Sequence, residues 1–252
     1  MKKIPLTHGK VALVDAEDYN WLSQFKWRTQ KSGKRPDAFY AVRSMTIKKR
    51  RTTIQMHRQI IKPPPGLEID HKNNNGLDNR RCNLRFCTRS QNMANSRGHT
   101  RRRSSFKGVS FHTQFRKWRA IITKNKKNLH LGFFKSQVRA AMAYDDKAKE
   151  LFGQFANPNF PHRLRRSNIR RWLRATKGRP FSITLVKPST GRDKTMLATI
   201  PANKGKASEA IRTNTPNMQI IILFDLIEQT HKCIPIEQIA AVTCRGRRYR
   251  VD

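Results

Sequence analysis

No apolar run in this chain is long: the best, Ile220 to Phe224, spans five residues. That is far short of the roughly 20 that a membrane-crossing helix needs. Each apolar run can therefore serve only as a short strand or one face of a helix, and the cores they build must be small and several. Between the runs lie 54 Lys and Arg against 16 Asp and Glu, a formal net charge of +38 over 252 residues. Such an excess repels itself unless a polyanion neutralises it, and nucleic acid is the polyanion to expect. With 37% hydrophobic residues the chain is too apolar for a disordered basic tail, so the expectation is an α+β protein of two or three small domains. Met1-Lys2-Lys3 has the charge of a secretory leader, but Thr7, His8, Gly9 and Lys10 break the apolar run behind it.

The pattern predicts strands at Val11 to Val14, Phe39 to Arg43 and Thr53 to His57. A helix follows Asp15, with Trp21, Leu22 and Phe25 at helical spacing, and one helical turn at Arg58 to Ile61 stops at Pro63-Pro64-Pro65-Gly66. Next come a strand end at Ile69 to His71, a polar loop from Lys72 to Cys82, a strand at Asn83 to Thr88 and a short helix capped by Ser90. Domain boundaries are expected as 1–96, a basic linker 97–105 with Arg101-Arg102-Arg103, a domain at 106–161, a second basic linker 162–179, and 180–252. The 106–161 stretch reads as three short strands and a helix after Ser136. The 180–252 stretch reads as short strands with turns between them, a small β-barrel.

Leu67 to Gly76, Asn83-Leu84-Arg85 and Ser90-Gln91-Asn92 carry the chemistry. Hydrolysing a phosphodiester needs a nucleophilic water, relief of charge on the phosphoryl oxygens and help for the departing sugar oxygen. A histidine of near-neutral pKa can take the water's proton, and a hard divalent cation can relieve the charge. His71 suits the first role, with Asn83 on the facing strand to orient its ring through the second nitrogen. Asp70, on the other side of the strand, suits the second together with an amide oxygen from the helix. Asn92 and Asn95 are both available there, one helical turn apart. So few protein ligands favour Mg²⁺, with Mn²⁺ substituting, over zinc. His57 is read either as a phosphate contact or as a half-buried strand histidine, the latter preferred.

At Met56-His57-Arg58, Glu68-Ile69-Asp70-His71, Gly76-Leu77-Asp78-Asn79-Arg80-Arg81-Cys82-Asn83-Leu84-Arg85 and Ser90-Gln91-Asn92 the chain resembles the HNH endonucleases, in particular the phage and homing type whose third motif residue is Asn. The resemblance implies a ββα-metal fold, His71 as general base, Asn83 as its orienting partner, and Asp70 with Asn92 as metal ligands. Residues 106–160 resemble the Apetala-two/ERF DNA-binding domain, through Phe106-Lys107-Gly108-Val109, Lys117 to Ile122, Leu131 to Phe134, Ala143-Tyr144-Asp145 and Gly153 to Ala156. In that family the three-stranded sheet lies in the major groove.

Alternation independently places Trp118, Ala120 and Ile122 against the helix and Lys117, Arg119, Ile121 and Thr123 on the free face. Lys107, Ser110, His112, Lys117, Arg119, Thr123 and His130, with Arg101, Arg102 and Arg103, are the candidate DNA contacts. Ser110, His112, Ile121, Thr123 and His130 stand where plant members read bases, so the plant target sequence does not carry over. Phe181 to Val251 faintly resembles small Sm-like, WYL-related phage barrels.

Cys82, Cys87, Cys233 and Cys244 lack the paired spacing of a zinc site and read as reduced thiols. The function expected is a site-specific, metal-dependent HNH homing endonuclease acting on double-stranded DNA. It would have no membrane association and no inferable protein partner, and would act in the cytoplasm, a bacterial host's if phage-encoded. The alternatives are a DNA-binding regulator with a decayed nuclease site, and an RNA-binding protein, for which the sequence offers no aromatic stacking motif on a sheet.

Overall fold

The computed structural model describes residues 1–32, 38–47, 49–96, 104–176, 179–200 and 220–252. The chain divides into two compact units, one of residues 1–97 with 154–156 and one of residues 98–153 with 157–252. Among the described residues no helix is long and apolar enough to cross a membrane.

The first unit begins with an antiparallel hairpin of β1 (Lys2–Pro5) and β2 (Val11–Val14), followed by α1 (Ala16–Leu22). Asp15 stands at the N-cap position, but its carboxylate accepts from the backbone N–H of Arg81 at 2.8 Å and not from its own helix. Phe25, expected on this helix, lies beyond its end and is stacked by the Arg43 guanidinium at 4.0 Å. Strands β3 (Arg28–Lys31), β4 (Phe39–Ile47) and β5 (Arg50–Gln55) form an antiparallel sheet in that order. Helix α2 (Met56–Ile60) begins at two residues expected as strand. Ile4, Val14, Leu22, Trp27, Met56, Ile60, Ile69 and Leu84 make one buried cluster, so hairpin, helices and sheet share a core with β6 (Glu68–His71) and β7 (Leu84–Cys87). Those two strands pair antiparallel with Asp70 opposite Arg85 and His71 opposite Leu84. Helix α3 (Arg89–Asn95) completes the expected ββα order. Its cap is Thr88, not Ser90: Thr88 Oγ1 accepts from the Gln91 N–H while the Gln91 side chain accepts from Thr88 N–H, a reciprocal capping box.

The second unit opens with β8 (Val109–His112), β9 (Lys117–Lys124) and β10 (Lys127–Phe134), ordered β10-β9-β8, backed by α4 (Gln137–Phe152) with Ser136 as N-cap. Gly108 allows this packing, since a Cβ there would stand 2.0 Å from the Tyr144 ring at φ +74.

Residues 162–179, expected as a linker, carry β11 (His162–Leu164) and α5 (Ile169–Ala175). Ile169 and Leu173 repeat at i, i+4 and are buried, while the arginines between them stay on the other side. Burying one such side chain contributes about 1.5–3 kcal/mol, enough to hold a short helix that its charges alone would not.

The expected closed barrel is instead an open seven-stranded sheet. Its strands are β12 (Phe181–Val186), β13 (Asp193–Thr199), β14 (Ile220–Asp225), β15 (Thr230–Pro235), β16 (Ile239–Cys244) and β17 (Arg247–Val251), with β11 parallel to β17 at one edge and β15 at the other. Helices do the work that closure would do. Ile169 and Leu173 of α5 pack with Phe181, Ile183 and Val242, and Val138, Ala140 and Ala141 of α4 pack with Val186, Ala240 and Ala241. The two halves of this unit, expected as separate domains, thus share α4.

Candidate active site

The polar loop between β6 and β7 is folded back onto the N-terminal hairpin. Leu13 N donates to Leu77 O and Asn79 N to Leu13 O, both at 2.8 Å. Arg81 then reaches α1, its Nε and Nη2 donating to Asp18 Oδ2 and Oδ1 at 2.8 Å, with Glu17 2.7 Å away. Asp78 is held between Arg80, two bonds of 2.7 Å, and Asn73 Nδ2 at 2.8 Å. These donors keep its carboxyl below the usual range, the Arg80 hydrogen bonds first, against its burial.

Asn83 is part of this bracing. Its Oδ1 accepts from Asn73 N at 3.1 Å and its Nδ2 donates to Asp78 O at 2.7 Å. The expected bond from Asn83 to His71 is therefore not made, because both ends of the amide tie the loop backbone. The side chain that meets the ring is Asn79, fully buried, whose Oδ1 lies 3.3 Å from His71 Nε2. With the amide oxygen facing the ring, the tautomer that satisfies it has the proton on Nε2 and a lone pair on Nδ1; Asn79 Nδ2 is buried with no hydrogen-bond partner among the described residues. Among the described residues no group hydrogen-bonds Nδ1.

His71 lines a cleft of about 380 Å³ with Tyr40, His57, Arg58, Glu68, Asp70 and Asn92. Gly76 forms part of the wall, and a Cβ there would stand 2.5 Å from Phe39 O and 2.6 Å from the Tyr40 ring. Burial lowers the His71 pKa, and the Asn79 hydrogen bond and the charges of Asp70 and Asp78 only partly oppose it. The ring is therefore neutral at pH 7, the form a base needs. His57 is buried at 5% exposure, not half-buried, and its ring stands edge-on to His71 with centroids 4.9 Å apart. Burial, then His71 and Arg58, pull its pKa down to about 3, so it too is neutral.

Asp70 is 5% exposed. Its carboxylate takes Nε and Nη2 of Arg85 at 2.8 Å and Asn95 Nδ2 at 2.8 and 3.0 Å; the same amide nitrogen also donates to His71 O at 2.9 Å. Asn92 points elsewhere, its Nδ2 donating to Glu68 Oε2 at 2.5 Å, and Arg89 donates to Glu68 Oε1 at 3.0 Å. Burial resists ionisation of Glu68, but these two donors hold its carboxyl below the ordinary range. The expected pair Asp70 and Asn92 is thus not brought together, whereas Asp70 and Asn95 are.

A divalent cation is the cofactor that the sequence resemblance implies, and the donors fit one in kind. The cleft-lining Asp70 carboxylate is a hard oxygen donor; the Asn95 amide meets it through Nδ2, while Asn95 Oδ1 accepts from Asn74 Nδ2 at 3.2 Å, so that amide would have to turn over to offer its oxygen.

In the second unit, cross-strand partners share a face. The pairs Ser110 with Arg119, His112 with Lys117, Ile121 with His130 and Thr123 with Asn128 place six of the candidate DNA contacts on the free face of the β8–β10 sheet. Lys107 is not among them, since its ammonium lies 5.8 Å from the Tyr144 ring centroid of α4. Arg101, Arg102 and Arg103 lie outside the described residues. Cys82 is exposed, Cys87 buried and Cys244 partly buried, and all three are free thiols.

Two comparisons bear on this geometry. The HNH endonuclease family matches residues 62–94, which run from the end of α2 through the cleft into α3. An uncharacterized HNH endonuclease of Acanthamoeba polyphaga mimivirus is 32% identical over 157 residues, covering 60% of this chain and 75% of that protein. No solved structure matches the chain. With the ββα order, the buried histidine and the looped-back asparagines in register with that match, the chain belongs to the HNH endonuclease family.

Proposed function

We propose that the protein is a site-specific endonuclease of the homing type, hydrolysing one phosphodiester of double-stranded DNA at a time with His71 as general base. The observation that carries this reading is the His71 ring, with Nε2 against Asn79 Oδ1, in a cleft that Asp70 also lines. Nδ1 takes a proton from water as the water oxygen attacks phosphorus, and the bond to the sugar oxygen breaks, that oxygen leaving with a proton taken from solvent water. Asn79 holds the tautomer and supports the imidazolium that forms. Arg58 and Arg89 at the cleft neutralise phosphates beside the reacting one. A divalent cation held by Asp70 and Asn95 would draw charge from the phosphoryl oxygens. The second unit supplies recognition, its free sheet face carrying Ser110, His112, Lys117, Arg119, Thr123 and His130.

The test is cleavage of a random duplex library with Mg²⁺, with and without chelator, followed by sequencing of the ends. Recurrent ends are expected from the wild type and none with chelator. His71→Ala should lose about 10²–10⁴ in single-turnover rate at unchanged DNA affinity. Near-normal cleavage by that variant would remove His71 from the mechanism.

A further inference from the structure

The free face of the β8–β10 sheet carries a cluster of rings that alternation along the strands does not predict. His112 and Phe115 are stacked at 4.8 Å and 17°. Phe133 sits edge-on to both, at 5.2 and 4.9 Å, and His130 lies 4.7 Å from Phe133. His130 and Phe133 are three residues apart, which in a regular strand puts them on opposite faces. A bulge between His130 and Gly132, with Gly132 at φ +125, adds the one residue that returns both to one face, His130 opposite Ile121 and Phe133 opposite Arg119. Phe115, in the β8–β9 turn, is 53% exposed. Lys117 and Arg119 stand on the same face, and Arg119 Nε is buried with no hydrogen-bond acceptor.

We infer that this face binds an unpaired stretch of DNA, its bases stacking on the Phe115, His112 and Phe133 rings and its phosphates meeting Lys117 and Arg119. Three observations select that occupant. A duplex shows proteins the edges of its bases, which ask for hydrogen-bonding groups, and phenylalanine rings have none; the faces of bases become available only where they are unpaired. An apolar protein partner would meet the cations of the same face in a chain of net charge +38. A polyanion with π faces satisfies both the rings and the charges. The inference rests on DNA being the substrate, and it goes beyond the proposed duplex contact of this sheet. It implies that the second unit engages DNA that is locally open, such as a frayed or distorted target.

The test is fluorescence anisotropy of the full-length protein in chelator, so that binding is read without hydrolysis and a failure of the nuclease reading leaves it untouched. The probes are an oligodeoxynucleotide of about 12 residues, the same length of abasic strand, the corresponding duplex, and the RNA of the same sequence. Phe115→Ala, at an exposed turn position, should weaken the intact single strand about 5- to 150-fold, the factor expected for one lost base stack. Abasic strand and duplex should change less than about twofold, and Phe115→Trp should bind the single strand like wild type. Phe133→Ala, its fold checked by circular dichroism, should repeat the pattern. Equal loss on all the DNAs, or no loss on any, would overturn the stacking assignment. Tighter binding of the RNA than of the DNA strand would overturn the choice of DNA.

Discussion

Replacing Asn79 tests the site more sharply than replacing the histidine it holds. Asn79→Ala removes the acceptor 3.3 Å from His71 Nε2 at a fully buried position. An orienting partner of this kind typically accounts for about 10–100-fold in rate, or about 1.4–2.7 kcal/mol of barrier. The fold should lose comparably little, because the Asn79 backbone bond to Leu13 O is kept and a lone buried donor costs about 1–3 kcal/mol. The pH profile carries a sign. The Asn79 hydrogen bond raises the His71 pKa against burial, so its removal lets the pKa fall further. Cleavage needs the neutral ring, so the acid limb of kcat/KM should move to lower pH in Asn79→Ala. Asn79→Asp places a carboxylate against Nε2, favours the imidazolium and should move the limb to higher pH. Single-turnover cleavage over pH 5–9 at saturating Mg²⁺ reads both shifts. A rate loss in Asn79→Ala with an acid limb that stays in place or moves upward would refute the argument that Asn79 acts through Nε2.

Asn95→Ala should abolish cleavage or raise the Mg²⁺ needed for it, while Asn92→Ala should keep most activity, as a metal titration of each variant will read. Arg81→Ala strips the cation from Asp18, itself 1% exposed, and should destabilise the first unit by about 1–3 kcal/mol in urea unfolding. The Arg81 side chain is 46% exposed, so water replaces part of the loss. Gly108→Ala forces a Cβ to within 2.0 Å of Tyr144 at φ +74 and should cost more than about 2 kcal/mol, read as a lowered Tm.

The ββα order of the site was legible because its strands alternate and its helix has a capping signature. The position of the cap was not, since Thr88 and Ser90 are equally good acceptors and only the Gln91 side chain, reaching back to Thr88 N–H, decides between them. Asp70 and His71 could be found from residue type alone. Asn79 could not be told from Asn73, Asn74, Asn75 and Asn83, because a loop has no period from which to infer direction. Asn92 and Asn95 are both candidates in the sequence, and a helical turn is too short a distance for sequence to choose; in the fold Asn95 meets Asp70 and Asn92 meets Glu68. Helix α5 was hidden by its arginines, although Ile169 and Leu173 hold the spacing of a buried face. Strand patterns predict a barrel where the fold has an open sheet, because they do not reveal whether edges meet, and the helices that cover its faces lie partly outside residues 180–252.

The loop that carries Asn79 and Asn83 is anchored at Leu13, Asp15 and Asp18, residues more than 60 positions earlier in the chain. The catalytic motif is thus not a portable cassette here. A fragment covering 62–94 holds His71, Asp70 and all three of the asparagines 79, 83 and 92, yet has no surface on which to close its own loop. In recombination between relatives, crossovers between residues 19 and 71 would separate His71 and its loop from their anchors, and functional chimaeras should inherit the hairpin and the motif from one parent. The same long separation adds loop-closure entropy to forming the site, since its geometry rests on contacts between residues 13–18 and 77–81.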